Sequence, residues 1–354
     1  MTAASFHSQR GPLLALAAAA LFGASTPFSK ILLRELSPQW LAGLLYLGSG
    51  VGLALWMLLR RFVTPHAARE ASLQRADLPW LGGAILAGGI IAPLFLAWGL
   101  RGTAATSASL MLNLEGVFTA LLAWFVFREN FDRRIFLGML AIVAGGLLLS
   151  WEGRAEGVSW AAAGIAAACF GWAIDNNLTR KVSAADPVQI AMLKGLVAGS
   201  INVAFAAALA PPPAWSAIGA SAVLGFLSYG ASLTLFVLAL RHLGTARTGA
   251  YFSTAPFVGA ALSLALLAER PGVWFWAAAV CMAAGVWLHL TEHHAHEHTH
   301  EPLEHDHLHV HDAHHQHEHT ADDPPGEPHS HPHRHAPLTH NHPHVPDLHH
   351  RHHH

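Results

Sequence analysis

The chain's strongest constraint is a series of apolar segments, each about as long as a bilayer is thick. The stretch 104–129 is almost wholly apolar. It exceeds the roughly 20 residues that a helix needs, at ~1.5 Å each, to cross a ~30 Å hydrocarbon core. Its apolar run, 105–127, has companions at about 12–33, 39–59, 79–100, 134–150, 159–179, 188–209, 216–240, 245–268 and 271–291. These runs are too long and too rich in Gly and Ala for strands, so helices are expected. Only 12% of residues are charged and 53% are hydrophobic, against roughly 25% charge in a soluble domain. The expected fold class is an all-α polytopic membrane protein with ten transmembrane helices.

The segments recur in order. Thr245–Glu269 repeats the plan of the 104–129 stretch, with Glu269 matching Glu129 at an offset of 140. Gly145 and Gly285 keep that offset in the next segment. Phe22-Gly23 matches Phe170-Gly171 at 148, and Pro38 matches Pro187 at 149. The first segment follows a basic residue and resembles a signal peptide, but a removed peptide would need no internal counterpart.

Positive charge orients the set. One side receives Arg10, Arg60, Arg61, Arg69, Arg75, Arg128, Arg133, Arg134, Arg180, Lys181, Arg241 and Arg247; the other receives Arg34, Arg101, Arg154 and Arg270. Lys/Arg-rich loops stay in the cytoplasm, so both termini are expected there, in an inner membrane. Five helices per repeat is an odd number, so the two repeats should be inverted. Secondary transporters are commonly built this way, with the substrate site near the midplane. The expected domains are 12–150 and 158–291 as two five-helix repeats, and 292–354 as a tail. The GxxxG at Gly195 and Gly199 signals close helix packing.

The TSAS…GVFTALLAWFVFRE segment, its STAPFVGAALSLALLAE counterpart and the Gly-rich helix after each resemble the drug/metabolite transporter superfamily, EamA type, over roughly residues 12–291. The resemblance implies a transporter fold, with small metabolites or toxic compounds as cargo, moved mostly outward. One departure stands out. The second repeat has Pro256 in its fourth helix, where the first has Gly116 preceded by Glu115.

Glu115 is the foremost candidate residue, since an ionisable group inside a membrane segment is costly and normally functional. It reads as a proton or cation site, as a counter-charge for a cationic substrate, or as a protonated side chain bonded to a neighbouring helix. Asn113 lies roughly 200° around the helix from it, on a small polar stripe with Thr106, Ser109 and Gly116. Asp175 and Asn176 stand late in the sixth segment, opposite Pro27-Phe28 of the first at the 148 offset. Lys194 lies at a similar depth, and an Asp175–Lys194 pair is expected, with snorkelling of Lys194 as the alternative. Tyr251, Tyr229 and Trp172 could line a cavity. Lys30 and Arg101 read as interfacial. Cys169 and Cys281 lie in apolar segments and suggest no disulfide framework.

The tail is another kind of sequence. Of 29 histidines, 26 lie at or after His289, alternating with Asp, Glu, Thr and Pro. Such composition builds no core, so disorder is expected. Imidazoles suit Zn, Cu and Ni, and binding of Zn, Ni or Co by the tail is expected. The candidate ligands are His293, His294, His296, His298, His300, His305, His307, His309, His311, His314, His315, His317 and His319. The body is expected to require no cofactor. No nucleophile–base arrangement, phosphate loop or CxxC points to an enzyme, and nothing points to nucleic acid. The expected surroundings are the bilayer, with a homodimer as one possible assembly. The leading function is export of small organic metabolites by alternating access, with a metal-chelating tail. The alternatives are a Ni, Co or Zn exporter, and a membrane-anchored metal-binding or sensing protein.

Overall fold

A computed structural model describes residues 3–63, 72–127, 133–151, 159–182, 185–236, 238–239, 248 and 251–290, with four tail segments at 295–300, 304–309, 329–334 and 338–343. Every regular element among the described residues of the membrane body is a helix. Its elements are α1 (Ala3–Leu32), α2 (Pro38–Val63), α3 (Leu78–Ala84), α4 (Ala92–Gly102), α5 (Ala105–Met111), α6 (Leu114–Phe127), α7 (Arg133–Trp151), α8 (Trp160–Thr179), α9 (Pro187–Leu209), α10 (Trp215–Gly225), α11 (Ala255–Leu267) and α12 (Val273–Leu290). Seven stretches are long and apolar enough to cross a bilayer: 11–32, 38–60, 75–102, 105–126, 133–150, 187–209 and 215–236. Two shorter apolar helices run over 255–267 and 273–288. The chain is therefore a polytopic membrane protein. Helix α8 is twenty residues long but carries Asp175, Asn176 and Asn177 in its last turns. Length and hydropathy thus return fewer spans among the described residues than the ten expected.

Small residues set the packing. Helix α2 lies along α9, α7 along α12, α4 along α8, and α1 along α11. A Cβ added at Gly195 would come within 2.5 Å of the Gly50 backbone nitrogen, and Gly199 abuts the backbone of Leu47. The α9 GxxxG thus lets two backbones touch where lipid gives no hydrophobic drive. Leu and Ala side chains of α2, α4, α5 and α8, with Leu33 and Leu36 of the connection after α1, make up much of the largest buried cluster.

Four of the expected continuous helices are interrupted. Ile85–Ile91, between α3 and α4, and Phe226–Ala231, after α10, are wound as π-helix. The fourth segment breaks at Leu112-Asn113 into α5 and α6, with the Leu112 and Asn113 N–H groups bonded three residues back. Before α11 the chain turns at Ser253-Thr254, and the Thr254 N–H reaches the Tyr251 carbonyl at 3.1 Å. Pro256 follows in the first turn of α11, where its missing N–H costs nothing.

In the tail, β1 (Ala295–His300) pairs antiparallel with β4 (Leu338–Pro343), Ala295 opposite Pro343 and His300 opposite Leu338. Likewise β2 (Glu304–His309) pairs with β3 (His329–Arg334), Glu304 opposite Arg334 and His309 opposite His329. A chain with no core can still satisfy its backbone groups by pairing with itself.

Candidate functional site

Proline chemistry creates the site's centre. Pro93 follows the first π-helical stretch and has no N–H. The i→i+5 pattern is visible next door, where the Ala92 N–H bonds the Ala87 carbonyl. The next carbonyl, Gly88, would need Pro93 as donor and is left free. Two side chains supply what the backbone lacks. The Tyr46 hydroxyl of α2 donates to the Gly88 carbonyl at 2.7 Å, and the Trp172 ring N–H of α8 donates to it at 3.0 Å. The Asn202 amide of α9 donates to the Gly89 carbonyl at 2.9 Å. Three helices are thereby held to one irregular turn by groups that cannot be left unpaired in an apolar interior.

Asp175 packs directly on this turn, since a Cβ on Gly88 would overlap its side chain. Lys194 of α9 donates to Asp175 Oδ1 at 2.5 Å and Oδ2 at 2.7 Å. The Thr179 hydroxyl donates to Oδ1 at 2.7 Å and lies 3.2 Å from the Lys194 ammonium. The carboxylate is buried, and the ammonium is largely covered. The short threonine hydroxyl one turn below Asp175 fills the remaining polar contact, which a buried ion pair needs to offset desolvation.

Glu115 forms a second, adjoining link. It lies in the first turn of α6, half-buried. Its Oε1 accepts the Asn176 amide at 2.8 Å, across from α8. Asn176 also lies 3.4 Å from the Thr119 hydroxyl. The Asn177 amide donates to the Thr119 carbonyl at 3.2 Å and to the Ala173 carbonyl at 2.9 Å. The Asp175-Asn176-Asn177 run therefore divides its labour: Asp175 faces α9, and Asn176 and Asn177 face α6. Aromatic rings border this band. Tyr46 and Tyr229 lie 5.3 Å apart, Tyr229 and Phe22 5.8 Å, and Phe22 and Phe252 5.4 Å between centroids.

Other candidates are placed elsewhere. Asn113 is buried and donates to the Leu110 carbonyl at 2.9 Å, closing the α5–α6 break rather than joining Glu115. The expected stripe of Thr106, Ser109, Asn113 and Gly116 does not run straight, because the helix stops in its middle. Thr106 and Ser109 are buried with unpartnered hydroxyls, while Gly116 is exposed. Tyr251 is half-buried, and its carbonyl accepts from Thr254. Cys169 and Cys281 are free thiols. Among the tail ligands, His296, His298 and His300 lie in β1 and His305, His307 and His309 in β2. His293, His294, His311, His314, His315, His317 and His319 lie outside the described residues. Among the described residues no cluster of three or more His, Cys, Asp or Glu is placed to hold a metal.

Sequence reasoning missed Tyr46, Asn202, Lys30 and Glu269. Pro93, five residues after Gly88 and four after Gly89, was the available signal for the first two. Lys30 read as interfacial, yet its ammonium donates to the carbonyls of Leu100 at 2.5 Å, Arg101 at 3.1 Å and Thr103 at 2.8 Å. Glu269 served only as a repeat marker, yet it accepts the backbone N–H groups of Ala105 and Thr106.

Comparison with known proteins agrees with this arrangement of apolar helices. The chain is 28% identical over 300 residues to an uncharacterized transporter of Methanothermobacter thermautotrophicus, covering 78% of this chain and 85% of that protein. A 40-residue stretch, 11% of this chain and 35% of the relative, is 52% identical to a probable 4-amino-4-deoxy-L-arabinose-phosphoundecaprenol flippase subunit ArnE of Pseudomonas fluorescens. A solved crystal structure shares the fold with a TM-score of 0.57 at 17% identity, covering 78% of this chain and 94% of that one. The model of the EamA-like transporter family matches twice, over residues 9–151 and 159–291. The chain therefore belongs to the EamA-like transporter family, within the drug/metabolite transporter superfamily.

Proposed function

We propose that the protein is a secondary transporter of the inner membrane that exports small organic metabolites by alternating access, with both termini cytoplasmic. Two inverted five-helix halves, 12–150 and 158–291, form the transporting body, and the tail, 292–354, chelates Zn, Ni or Co. The observation that carries this reading is the polar band Glu115–Asn176 and Asp175–Lys194, held between helices of both halves in an otherwise apolar body. Buried polar groups of this kind mark substrate and ion pathways in membranes.

Three features support two related halves. The family model matches once in each. Both carry a π-helical stretch, at Ile85–Ile91 and Phe226–Ala231, and both break a later helix, at Leu112-Asn113 and Ser253-Thr254. The packing is also reciprocal: second helix on second helix in α2 with α9, and last on last in α7 with α12. Interrupted helices facing a cavity are how transporters expose polar backbone at membrane depth.

The test is a comparison of cells with and without the gene, exposed to panels of amines, amino acids, drugs and metal salts. Hypersensitivity to organic compounds on gene loss, reversed by the intact gene and not by Glu115→Gln, is expected. Hypersensitivity confined to Ni, Co or Zn, lost again on truncation after Leu290, would favour the metal exporter. A binding or sensing protein would leave efflux unchanged in every strain.

A further inference from the structure

Charge is unevenly matched in the polar band. Lys194 spends its charge on Asp175, with both carboxylate oxygens and the Thr179 hydroxyl within 3.2 Å. Glu115 is met by the neutral amide of Asn176 instead. With Asp175 and Lys194 cancelling, an ionised Glu115 leaves the band with one negative charge and no cation assigned to it. A carboxylate in that position is costly until a positive group arrives.

Space lies beside it. Gly116, the next residue, is exposed, and a Cβ added there would meet nothing within 4 Å. Asn176 is exposed as well. On the inner side the band is bordered by rings whose polar handles are already used. Tyr46 and Trp172 both donate to the Gly88 carbonyl, which leaves ring surface rather than hydrogen-bonding groups. Tyr46, Tyr229, Phe22, Phe252 and Phe236 follow one another at centroid distances of 4.9–5.8 Å. Ring faces attract cations, and quaternary ammonium groups above all. An anion entering the same place would meet an uncompensated carboxylate, with the Asn176 amide already given to it.

We infer that the Glu115 site takes a small organic monocation, a primary or quaternary ammonium compound, whose charge Glu115 meets and whose carbon skeleton lies against the aromatic run. This rests on the transporter reading above and names its substrate class.

The experiment reads charge selection without requiring knowledge of the natural substrate. Cys281 is replaced by alanine, buried Cys169 is kept, and Gly116→Cys is introduced in the full chain in proteoliposomes. Two water-soluble thiol reagents are compared, the trimethylammonium and the sulfonate ethyl methanethiosulfonates, each rate divided by that for a free small thiol. The cationic reagent should be favoured by about tenfold over the free-thiol ratio, in the range that a charged cleft concentrates counter-ions. Glu115→Gln should abolish the preference, and millimolar tetraethylammonium should slow labelling only when Glu115 is present. A ratio equal to the free thiol's, or one unchanged in Glu115→Gln, overturns the inference. Labelling by a lipid-soluble maleimide but by neither charged reagent would mean that Gly116 faces lipid, and overturns it too. A cation preference in a protein that moves no solute would instead sustain the site's selectivity and remove the transporter reading.

Discussion

The carboxylate of Glu269 accepts the backbone N–H of Ala105 at 2.8 Å, and its second oxygen accepts that of Thr106 at 2.9 Å. Helix α5 begins after Ala104, which has no side chain able to cap it. Its cap comes from 164 positions away along the chain. On the same corner Lys30 caps the last carbonyls of α4. The Ala268 backbone sits in the left-handed region at φ 50°, a conformation that an alanine adopts only when its surroundings hold it there. The 103–104 connection is thus clamped by an acid on one side and an amine on the other.

Removing that cap should loosen the corner. Glu269→Gln keeps one acceptor and should lower stability modestly. Glu269→Ala should cost about 1–2 kcal/mol, the scale of a lost helix cap. The measurement is the apparent melting temperature in detergent, together with thiol labelling of Ser107→Cys from outside the cell. Labelling should rise in both variants; unchanged labelling would make Glu269 a structural cap alone.

Lys194→Met should be more damaging than the double change Asp175→Leu with Lys194→Met. The single variant strands a buried carboxylate and should cost about 3–5 kcal/mol, whereas removing both charges together is far cheaper. Thermal unfolding of the three proteins in one detergent decides the order. Equal losses would mean that water reaches the pair.

Asn202→Leu should cost about 1–3 kcal/mol, because the Gly89 carbonyl loses its donor in a buried place. Pro93→Ala in the same protein should recover part of the loss, since the alanine N–H lies four residues past Gly89 and can reach its carbonyl in an α-helical turn. No recovery would detach the proline from the irregular winding.

Sidedness follows from the Lys/Arg bias. Glu35→Cys, in the exposed connection after α1, should react with an impermeant thiol reagent outside intact cells, and Ser72→Cys should not. The reverse labelling pattern would end the inverted arrangement.

The tail should bind Zn²⁺ or Ni²⁺ in several weak, unequal sites, and truncation after Leu290 should abolish it. Binding should fade as pH falls through the imidazole pKa near ~6.5, because the ligand must be deprotonated. Calorimetric titration of full-length and truncated protein checks both statements. One tight stoichiometric site would contradict unequal binding.

The sequence by itself determined the membrane class, the order of the apolar segments and the family. Those depend on local composition: a span of apolar residues has nowhere else to go, and two matching halves repeat the same pattern in order. It also brought Asp175 and Lys194 to similar depth, because depth follows from counting residues along a helix. The tertiary structure alone decided what faces what. Asn113 and Glu115 are two residues apart, yet one closes a helix break and the other reaches across to α8, because α5 ends between them. Pro93 announced a lost hydrogen bond, but only packing shows that Tyr46 and Trp172 supply it. Glu269 could be recognised as a repeat of Glu129, but not as the cap of α5, since that contact joins residues far apart in the chain. Hydropathy is a property of each segment, whereas a polar contact in a membrane depends on the partner that folding brings to it.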